Sequence, residues 1–418
     1  MNFVIPNRFT CAGSPGAMSA RVLFMPPPSE PTRDIFETGV LGIRHDGLRR
    51  SNEKAVLTIV GFNAGLSNAE IARLSGLAPQ TVSAILVDLE NEGLIERGPV
   101  LRGRRGQPAT PILLNAAAAY SIGVEIGWQH VSVVLLNFHA QVLDERRADY
   151  QYPDAKTLFS RICAMVEDLR AGLDADQRRR LRDLGIAMPG NVADHVEMLD
   201  APPDQTALWR QTDPVAELRE RTGLEVSLYN DGNAACWAEL IALAPPRPSN
   251  VLYFLVSRYI AAGVIAGGVL WEGPSGQGAD LGSMVVEAGP DGVRQAYAFA
   301  SKWALQQRLA QAGKAQPLDV AQWDWHDIAP ELDTWLADSG EALARAVFNA
   351  TTVVEQPLVV IDSILPPEVT ARLVACTETA LAQLPVRGFR PPKVIAGQYG
   401  ALAPAIGAAK LILFRRYF

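Results

Sequence analysis

The sequence predicts an α/β protein in which a short helical unit near the N-terminus precedes a long region of alternating strands and helices. Between residues 51 and 89, apolar side chains recur at the spacing of helices that each bury one face. From residue 119 onwards, strand-sized apolar runs such as 131–136 and 251–256 alternate with helical stretches. The chain has 418 residues, more than one hydrophobic core usually serves, so we expect more than one domain.

The composition is that of an ordinary soluble globular protein and argues against several other classes. Hydrophobic residues make up 48% and charged residues 20% of the chain, and the apolar runs fall far short of the about 20 residues of a membrane-spanning helix. The four cysteines are scattered and the five histidines show no metal-binding spacing. We therefore expect a cytoplasmic protein with reduced thiols, no membrane association, no disulfide framework, no metal and no cofactor.

The first forty residues are rich in proline and lack the continuous apolar stretch that a secretory signal requires. The prolines are Pro6, Pro15, Pro26, Pro27, Pro28 and Pro31. We expect residues 1–40 to form a flexible arm, followed by one domain over 41–115 and a second over 116–418.

The net charge of −7 is unevenly distributed along the chain. Residues 42–110 contain nine Lys or Arg against seven Asp or Glu, a charge of +2, which leaves −9 on the remainder. Within this segment Arg97, Arg102, Arg104 and Arg105 fall close together. Basic charge concentrated on an otherwise acidic chain indicates that this segment is the part that contacts nucleic acid.

Residues 51–91 read as a helix followed by a helix-turn-helix. Ser67 and Glu70 form a capping box before the second helix, and Gly76 ends that helix. Pro79 suits the first position of the third helix, in which the apolar residues again follow helical spacing. The apolar residues expected to be buried in the three helices are Ala55, Val56, Ile59, Val60, Ile71, Leu74, Val82, Ile85, Leu86 and Leu89.

The third helix and the segment after it have the features of a winged DNA-binding head. The second helix of a helix-turn-helix can lie in a major groove, where Gln80, Thr81 and Ser83 would face phosphates and base edges. The strand-like stretches 94–98 and 109–115 flank the sequence R-G-R-R-G-Q-P, so Arg102, Arg104 and Arg105 would lie on a cationic wing. The combination of capped helices and a basic wing predicts binding to double-stranded DNA.

The remainder of the chain reads as strands alternating with helices. Two strands and a turn are expected over 119–143, and further strands at 184–190, 226–233, 251–257 and 357–363. The expected helices cover 154–173, 233–243, 293–312, 340–355 and 366–384. The final segment, 411–418, is expected to be a helix end, with Arg415 and Arg416 in solvent.

The motifs of this region resemble those of the ROK family, which comprises repressors, open reading frames and kinases. They are I-G-V-E-I-G, G-I-A-M-P-G, N-D-G-N-A-A, A-G-V-I-A-G-G-V-L-W-E-G, G-A-D-L-G-S and A-P-A-I-G-A-A, in the family's order. With the winged head, the resemblance covers about residues 44–412 and points to the family's transcriptional regulators of sugar metabolism. It implies two actin-like, ribonuclease H-like lobes with a sugar cleft between them, in a homodimer or homotetramer.

The resemblance also identifies the positions at which a kinase would hold ATP. In the family's kinases, the aspartate corresponding to Asp231 takes a proton from a sugar hydroxyl while two glycine-rich turns hold the nucleotide. The first turn, D-x-G-G-T, is E-I-G-W-Q here, so Trp128 stands where bare backbone should approach phosphate. The second contains Arg258 and Tyr259 in place of glycines. Since phosphoryl transfer depends mostly on positioning, we predict no catalytic residue and no enzymatic activity.

The sugar-holding residues implied by the family are altered in part. The usual E-x-G-H is Asp280, Leu281, Gly282 and Ser283 here, and Val293 and Gln295 replace a family cysteine and a sugar-binding glutamate. In the family, this histidine and a cysteine-rich loop bind a structural zinc ion; this sequence lacks both, so the resemblance implies that zinc has no ligands here. The groups that remain for an effector are Pro189, Gly190, Asn230, Asp231, Asp280 and Gln295.

Two readings of the pair Asn230–Asp231 remain open, because Asn and Asp also favour turns and helix caps. The sequence favours a DNA-binding repressor of carbohydrate-related genes that acts on an inverted-repeat operator and responds to a sugar or sugar derivative. The alternatives are a sugar kinase with an appended DNA-binding head and a regulator without an effector.

Overall fold

The protein consists of a head and a two-lobed body, each lobe built on a five-stranded sheet. The computed structural model describes residues 34–36, 48–63, 65–99, 110–290, 292–385 and 390–418. Over these ranges, no helix is long and apolar enough to cross a membrane.

The head contains three helices and a two-stranded hairpin. Their bounds are α1 Leu48–Phe62, α2 Asn68–Ser75, α3 Pro79–Asn91, β1 Ile95–Arg97 and β2 Ile112–Leu114. Ser67 and Glu70 form the predicted capping box, and Gly76 ends α2 with a left-handed φ of 69°. The winged helix-turn-helix is therefore confirmed, while the tip of the wing, residues 100–109, lies outside the described residues.

An apolar core holds the head together and continues into the body. The buried apolar residues of the three helices are Val56, Leu57, Ile59, Val60, Ile71, Ala72, Val82, Ile85, Leu86 and Leu89. Ala55 and Leu74, which were also expected to be buried, are only partly covered. The same cluster includes Phe138 and Leu413 from the body, so the head packs directly against the body.

The first lobe has a mixed sheet covered by helices on its outer face. The strands are β3 Tyr120–Ile126, β4 His130–Asn137, β5 Val142–Asp149, β6 Leu181–Met188 and β7 Glu225–Asn230. The helices are α4 Leu158–Ala171, α5 Ala175–Arg180, α6 Val192–His195, α7 Asp204–Gln211 and α8 Pro214–Thr222. The strand order is β5-β4-β3-β6-β7, with β3, β4 and β5 antiparallel and β3, β6 and β7 parallel.

The second lobe repeats this topology. Its sheet strands are β8 Val251–Val256, β9 Ile260–Ala266, β10 Val269–Leu270, β13 Leu358–Ser363 and β14 Lys393–Ala396, and a separate hairpin is formed by β11 Val285–Gly289 and β12 Gly292–Gln295. The helices are α9 Asp231–Ala242, α10 Lys302–Gln311, α11 Ala329–Val353, α12 Pro367–Gln383 and α13 Ala403–Tyr417. The strand order β10-β9-β8-β13-β14 again joins three antiparallel strands to two parallel ones. Paired lobes of this kind are the architecture predicted for residues 116–418.

Helices α9 and α13 pack against each other between the two sheets, α13 on the first sheet and α9 on the second. Glycines allow the close approach. A Cβ at Gly123 of β3 would lie 1.9 Å from the Ala405 carbonyl oxygen, and one at Gly407 of α13 would lie 1.8 Å from that of Ala234. The two lobes therefore meet through backbones in direct contact, which leaves no room for side chains at these points.

Three features of the body differ from the sequence-based expectation. The helix predicted over 293–312 is wrong at its start, since β12 occupies 292–295 and α10 begins only at Lys302. Strand β5 was missed because its residues are mostly exposed and lack an apolar alternation. The helix predicted over 340–355 begins earlier, at Ala329.

The C-terminal helix also differs in its contacts. The Arg416 guanidinium was expected to be solvated, but its Nε donates to Oδ1 of the buried Asp183 at 3.0 Å. Arg415 pairs with Glu272 and lies over the Tyr229 ring. The expectation of free solvation is therefore wrong, because burial of Asp183 requires a charged partner.

Residues 34–36 are packed into the protein, unlike the flexible arm predicted over 1–40. The buried Asp34 carboxylate accepts hydrogen bonds from the Arg247 backbone N–H at 2.9 Å and from its guanidinium at 3.0 Å. The Phe36 ring stacks on Phe62 of α1 at 3.9 Å and meets Trp237 of α9 edge-on. This segment therefore connects the head with the body; the rest of the predicted arm lies outside the described residues.

Candidate ligand cleft and DNA-facing surface

A cavity of about 420 Å³ opens between the two lobes, and all six predicted effector-binding residues line it. They are Pro189, Gly190, Asn230, Asp231, Asp280 and Gln295. The residues come from the end of β6, the junction of β7 and α9, the short helical turn at 281–283, and the end of β12. The fold thus brings together residues that are more than one hundred positions apart in the sequence.

Asp231 is the first residue of α9 and lines both the cleft cavity and the small cavity next to it. Its Oδ1 accepts from the Gly232 N–H at 2.9 Å, and the neighbouring Asn230 caps the helix by accepting from the Asn233 N–H at 3.0 Å. Burial raises the pKa of the Asp231 carboxyl to about 7, and the charge of Glu125 acts in the same direction. Asn230 is therefore a helix cap, and Asp231 is a lining residue of the cavity.

Asp280 lies at the more exposed rim of the cleft. Its Oδ1 accepts from the Ser283 N–H at 3.3 Å and thereby caps the turn at 281–283. Both carboxylates can accept hydrogen bonds from neighbouring hydroxyls. Lysine and arginine are absent from the described residues that line the cavity. The described lining therefore offers carboxylates and amides to a ligand, and neither an ammonium nor a guanidinium group to an anion.

The structure adds several lining residues that the sequence did not identify. The Gln277 side chain lies so close to Gly190 that an added Cβ would be 1.3 Å from its Oε1. His195, Met198 and Tyr297 also line the cavity. Each belongs to a loop or short helix without a distinctive motif, so only the tertiary structure could place them.

An aromatic contact closes the inner side of the cleft. Trp128 in the β3–β4 turn and Tyr259 in the β8–β9 turn meet edge to face, with ring centroids 5.3 Å apart. His195 lies 6.1 Å from Trp128, and Tyr297 lies 5.9 Å from Tyr259. Since the two turns occupy equivalent positions in the two lobes, this contact joins the lobes across the cleft.

Little space remains behind the aromatic contact. The cavity there has a volume of about 20 Å³, enough for about one water molecule. One N–H group of each turn bonds within that turn: Gly127 N–H donates to the His130 carbonyl at 2.9 Å, and Ser257 N–H donates to the Tyr259 carbonyl at 2.8 Å. These turns were predicted to have lost their ability to hold phosphate, and their geometry is in line with that prediction.

The hairpin β11–β12 contains the residues that take the place of the family's zinc-binding loop in the sequence. Val293 is two-thirds exposed on this hairpin. In the described part of the chain, no three His, Cys, Asp or Glu side chains come close enough to hold a metal ion. The absence of a metal stays a prediction.

The proposed DNA-facing residues of α3 are exposed at its start. Ala78, at the N-cap, makes no side-chain hydrogen bond to the helix, so the first N–H groups of α3 can meet a phosphate. Gln80 and Thr81 project into solvent. The Ser83 hydroxyl, although exposed, donates to the Pro79 carbonyl at 2.9 Å and accepts from Asn68 at 2.7 Å. Ser83 therefore joins α2 to α3. Arg102, Arg104 and Arg105 lie outside the described residues.

Comparisons with known proteins agree with this architecture. A family model described as the ROK family matches residues 121–415, and one described as winged helix-turn-helix DNA-binding matches residues 49–96. The xylose repressor of Bacillus spizizenii is 24% identical over 245 residues, which cover 57% of this chain and 62% of the repressor. The aligned part thus spans less than two thirds of that relative.

Two solved structures share the fold. A ROK family transcriptional regulator, described as a homologue of the Escherichia coli MLC protein, aligns with a TM-score of 0.65 at 19% identity, covering 88% of this chain and 97% of the other. A ROK family glucokinase from Streptomyces griseus, in complex with glucose and AMPPNP, aligns with a TM-score of 0.56 at 21% identity, covering 70% and 99%. At these identities the similarity establishes the fold alone.

Proposed function

The chain belongs to the ROK family, and from this premise we propose that it is a DNA-binding transcriptional regulator of carbohydrate-related genes. It acts as a repressor, and its effector is a sugar-like molecule in the cleft cavity. The observation that carries the proposal is that the outer cleft is open while the space behind Trp128 and Tyr259 is filled. A DNA-binding head packed on such a body supports sensing rather than phosphoryl transfer.

The lining of the cleft favours a neutral, polyhydroxylated effector. Asp231 and Asp280 can accept from sugar hydroxyls, and each well-made pair adds specificity because an unmet buried partner is costly. The rings of Trp128, Tyr259 and Tyr297 form an apolar wall for the faces of a sugar. The volume of about 420 Å³ falls within the usual range of small-molecule sites, about 300–1,000 Å³. A phosphorylated sugar would instead place a dianion beside two carboxylates.

Packing suggests how the cleft communicates with the head. Helix α9 begins at Asp231 and carries Trp237, whose ring lies 4.7 Å from Phe414 and 6.3 Å from Phe36. Both of these rings contact Phe62 of α1. A ligand that shifts α9 would therefore move the head through contiguous aromatic packing. In a homodimer or homotetramer on an inverted-repeat operator, such a shift changes the spacing of the two heads.

A kinase is the second candidate function, and the position of Asp231 favours it. A carboxyl with a pKa of about 7 at the floor of a sugar cleft suits a general base. The small volume of about 20 Å³ behind Trp128 and the side chains of Trp128 and Tyr259 in the two turns argue against it, since a base without a phosphate cradle achieves little.

The test is a sugar-binding and turnover screen with the full chain. Neutral sugars and their phosphates are screened by thermal shift, because a ligand of the native state raises the melting temperature. We expect a neutral sugar to stabilise the protein and to change its affinity for the operator, without phosphorylation when ATP is added. Phosphorylation that disappears in Asp231→Asn would establish the kinase instead. If no sugar raises the melting temperature while operator binding is intact, the protein is a regulator without an effector.

A further inference from the structure

A larger cavity of about 830 Å³ lies where the head meets the body, away from the cleft between the lobes. We call it the head–body groove. Its charged lining residues are Arg50, Glu53, Lys54, Glu92, Arg180, Arg182 and Arg416. The first four belong to the head and the last three to the body. The proposed function makes no use of this groove.

The groove carries an excess of positive charge. Five of these residues are cationic and two are acidic, an excess of three, which becomes two when the pair between Arg416 and Asp183 is counted. The Lys54 ammonium donates to the Arg415 carbonyl at 3.0 Å, and the Arg180 guanidinium donates to the Ala117 carbonyl at 2.7 Å. These contacts satisfy donors but do not neutralise the charges.

Two of the guanidinium groups have no such contacts. Within the described ranges, the side chains of Arg50 and Arg182 make neither a hydrogen bond nor an ion pair, and both are exposed. The pKa of Lys54 is lowered, first by burial and then by the charge of Arg50. The cations of the groove therefore repel one another, and an anion bound among them would relieve this repulsion.

The groove lies at the end of α3 that is remote from the DNA-facing residues. Leu89 and Glu92 line it, whereas Gln80 stands at the start of the helix. Thirteen helical residues rise about 20 Å. The cations of the groove are thus unsuited to the same DNA contact as Gln80.

We propose that the head–body groove binds a small phosphorylated metabolite, separately from the neutral effector of the cleft. Arginine guanidinium groups match the geometry of a phosphate and bind it through paired hydrogen bonds. The groove is large enough for the rest of such a molecule. Because Arg50 comes from the head and Arg182 from the body, one phosphate bound by both would fix the head relative to the lobes. The groove is therefore a second site at which metabolite levels can act on DNA binding.

Calorimetric titration of the full-length protein with inorganic pyrophosphate tests the proposal, in buffers matched for ionic strength with sodium chloride. We expect saturable binding that weakens about tenfold or more in Arg182→Ala, since a hydrogen bond between charged groups is lost. Arg161→Ala is the matched control, because Arg161 is an exposed arginine on α4 outside the groove. Both variants should keep the melting temperature of the unmodified chain in the absence of anion.

Four results would overturn the proposal. The first is pyrophosphate binding that is absent or that chloride at equal ionic strength abolishes. The second is equal weakening by Arg182→Ala and Arg161→Ala. The third is that Arg182→Ala weakens operator binding without added anion and lowers its salt dependence, which would assign Arg182 to the DNA backbone. The fourth is that a poly-glutamate peptide binds and pyrophosphate does not, which would indicate an acidic protein segment as the ligand of the groove.

Discussion

Asp231 shows how a single side chain can be located from sequence while its chemistry cannot. The motif N-D-G-N placed it at a strand–helix junction, as the structure does at the start of α9. Its raised pKa, however, depends on burial between two lobes and on the charge of Glu125, more than one hundred residues away. Sequence spacing contains no information about either effect.

The raised pKa makes a prediction for stability against pH. The folded protein holds a proton on Asp231 that the unfolded chain releases between about pH 4 and pH 7, so this residue lowers stability as the pH rises through that window. Asp231→Asn removes the buried charge. In urea unfolding at pH 8, we expect the free energy of unfolding of the variant to exceed that of the unmodified chain by roughly 1–2 kcal/mol. Near pH 4 we expect the two free energies to be equal.

Asp280→Asn is the control, since it removes a carboxylate from the exposed rim of the same cleft. Equal effects of the two substitutions at pH 8, or an effect of Asp231→Asn that persists at pH 4, would contradict the assignment of the buried proton to Asp231.

Gln80 carries the prediction for DNA recognition. A glutamine at the start of a recognition helix can pair with adenine through two hydrogen bonds, which discriminate by about 1–3 kcal/mol against another base. We expect Gln80→Ala to lose preference at one operator position while binding to unrelated DNA is unchanged, as measured by fluorescence anisotropy. A uniform loss of affinity across all sequences would instead make Gln80 a backbone contact.

At the scale of elements, the helix pair α9–α13 depends on positions that only the structure reveals. In the sequence, Gly407 is one of several small residues in a row and has no distinguishing feature. In the structure, its Cα faces the Ala234 carbonyl. An added methyl group must push the helices apart, so we expect Gly407→Ala to destabilise the protein by about 3 kcal/mol or more in urea unfolding. Gly289→Ala is the control, because a Cβ there would meet nothing within 4 Å. Similar unfolding midpoints for both variants would refute the close packing.

The segment 34–36 is a second element that sequence reasoning misjudged. Its neighbours are rich in proline and polar residues, and the buried side chains Asp34 and Phe36 are too few to show a periodic pattern. Arg247, the partner of Asp34, lies 213 positions away, and Phe62, the partner of Phe36, belongs to α1 of the head, so the tertiary structure alone explains their burial.

Loss of the Phe36 ring should be costly for the same reason. We expect Phe36→Ala to reduce stability by about 3 kcal/mol and to weaken the effect of a cleft ligand on operator binding, because the ring joins α9 to α1. Val353→Ala, at a highly exposed position, should change neither. Reduced stability with full ligand response would show that the segment holds the fold together without transmitting the signal.

At the scale of the whole molecule, the two-lobed architecture was predicted through family resemblance, and its internal duplication was not. Both sheets share the order of three antiparallel and two parallel strands, but β5 is mostly exposed whereas its counterpart β10 has only two residues. Because β5 is exposed and β10 is short, the two lobes share no apolar pattern in the sequence from which the duplication could be predicted. The cleft residues were found because motifs at strand ends mark them, while the head–body groove is formed by residues that no motif connects.

In the proposed function, a sugar bound in the cleft changes the affinity of the head for operator DNA. The most direct measurement is the affinity of the full chain for its operator, selected from genomic DNA, by fluorescence anisotropy with increasing neutral sugar and with ATP present. We predict that one sugar changes the operator dissociation constant by at least about tenfold, that Asp231→Asn abolishes this response, and that the sugar is recovered unphosphorylated. Recovery of a sugar phosphate, with operator affinity unchanged throughout the titration, would contradict regulation by a sugar and would support a kinase.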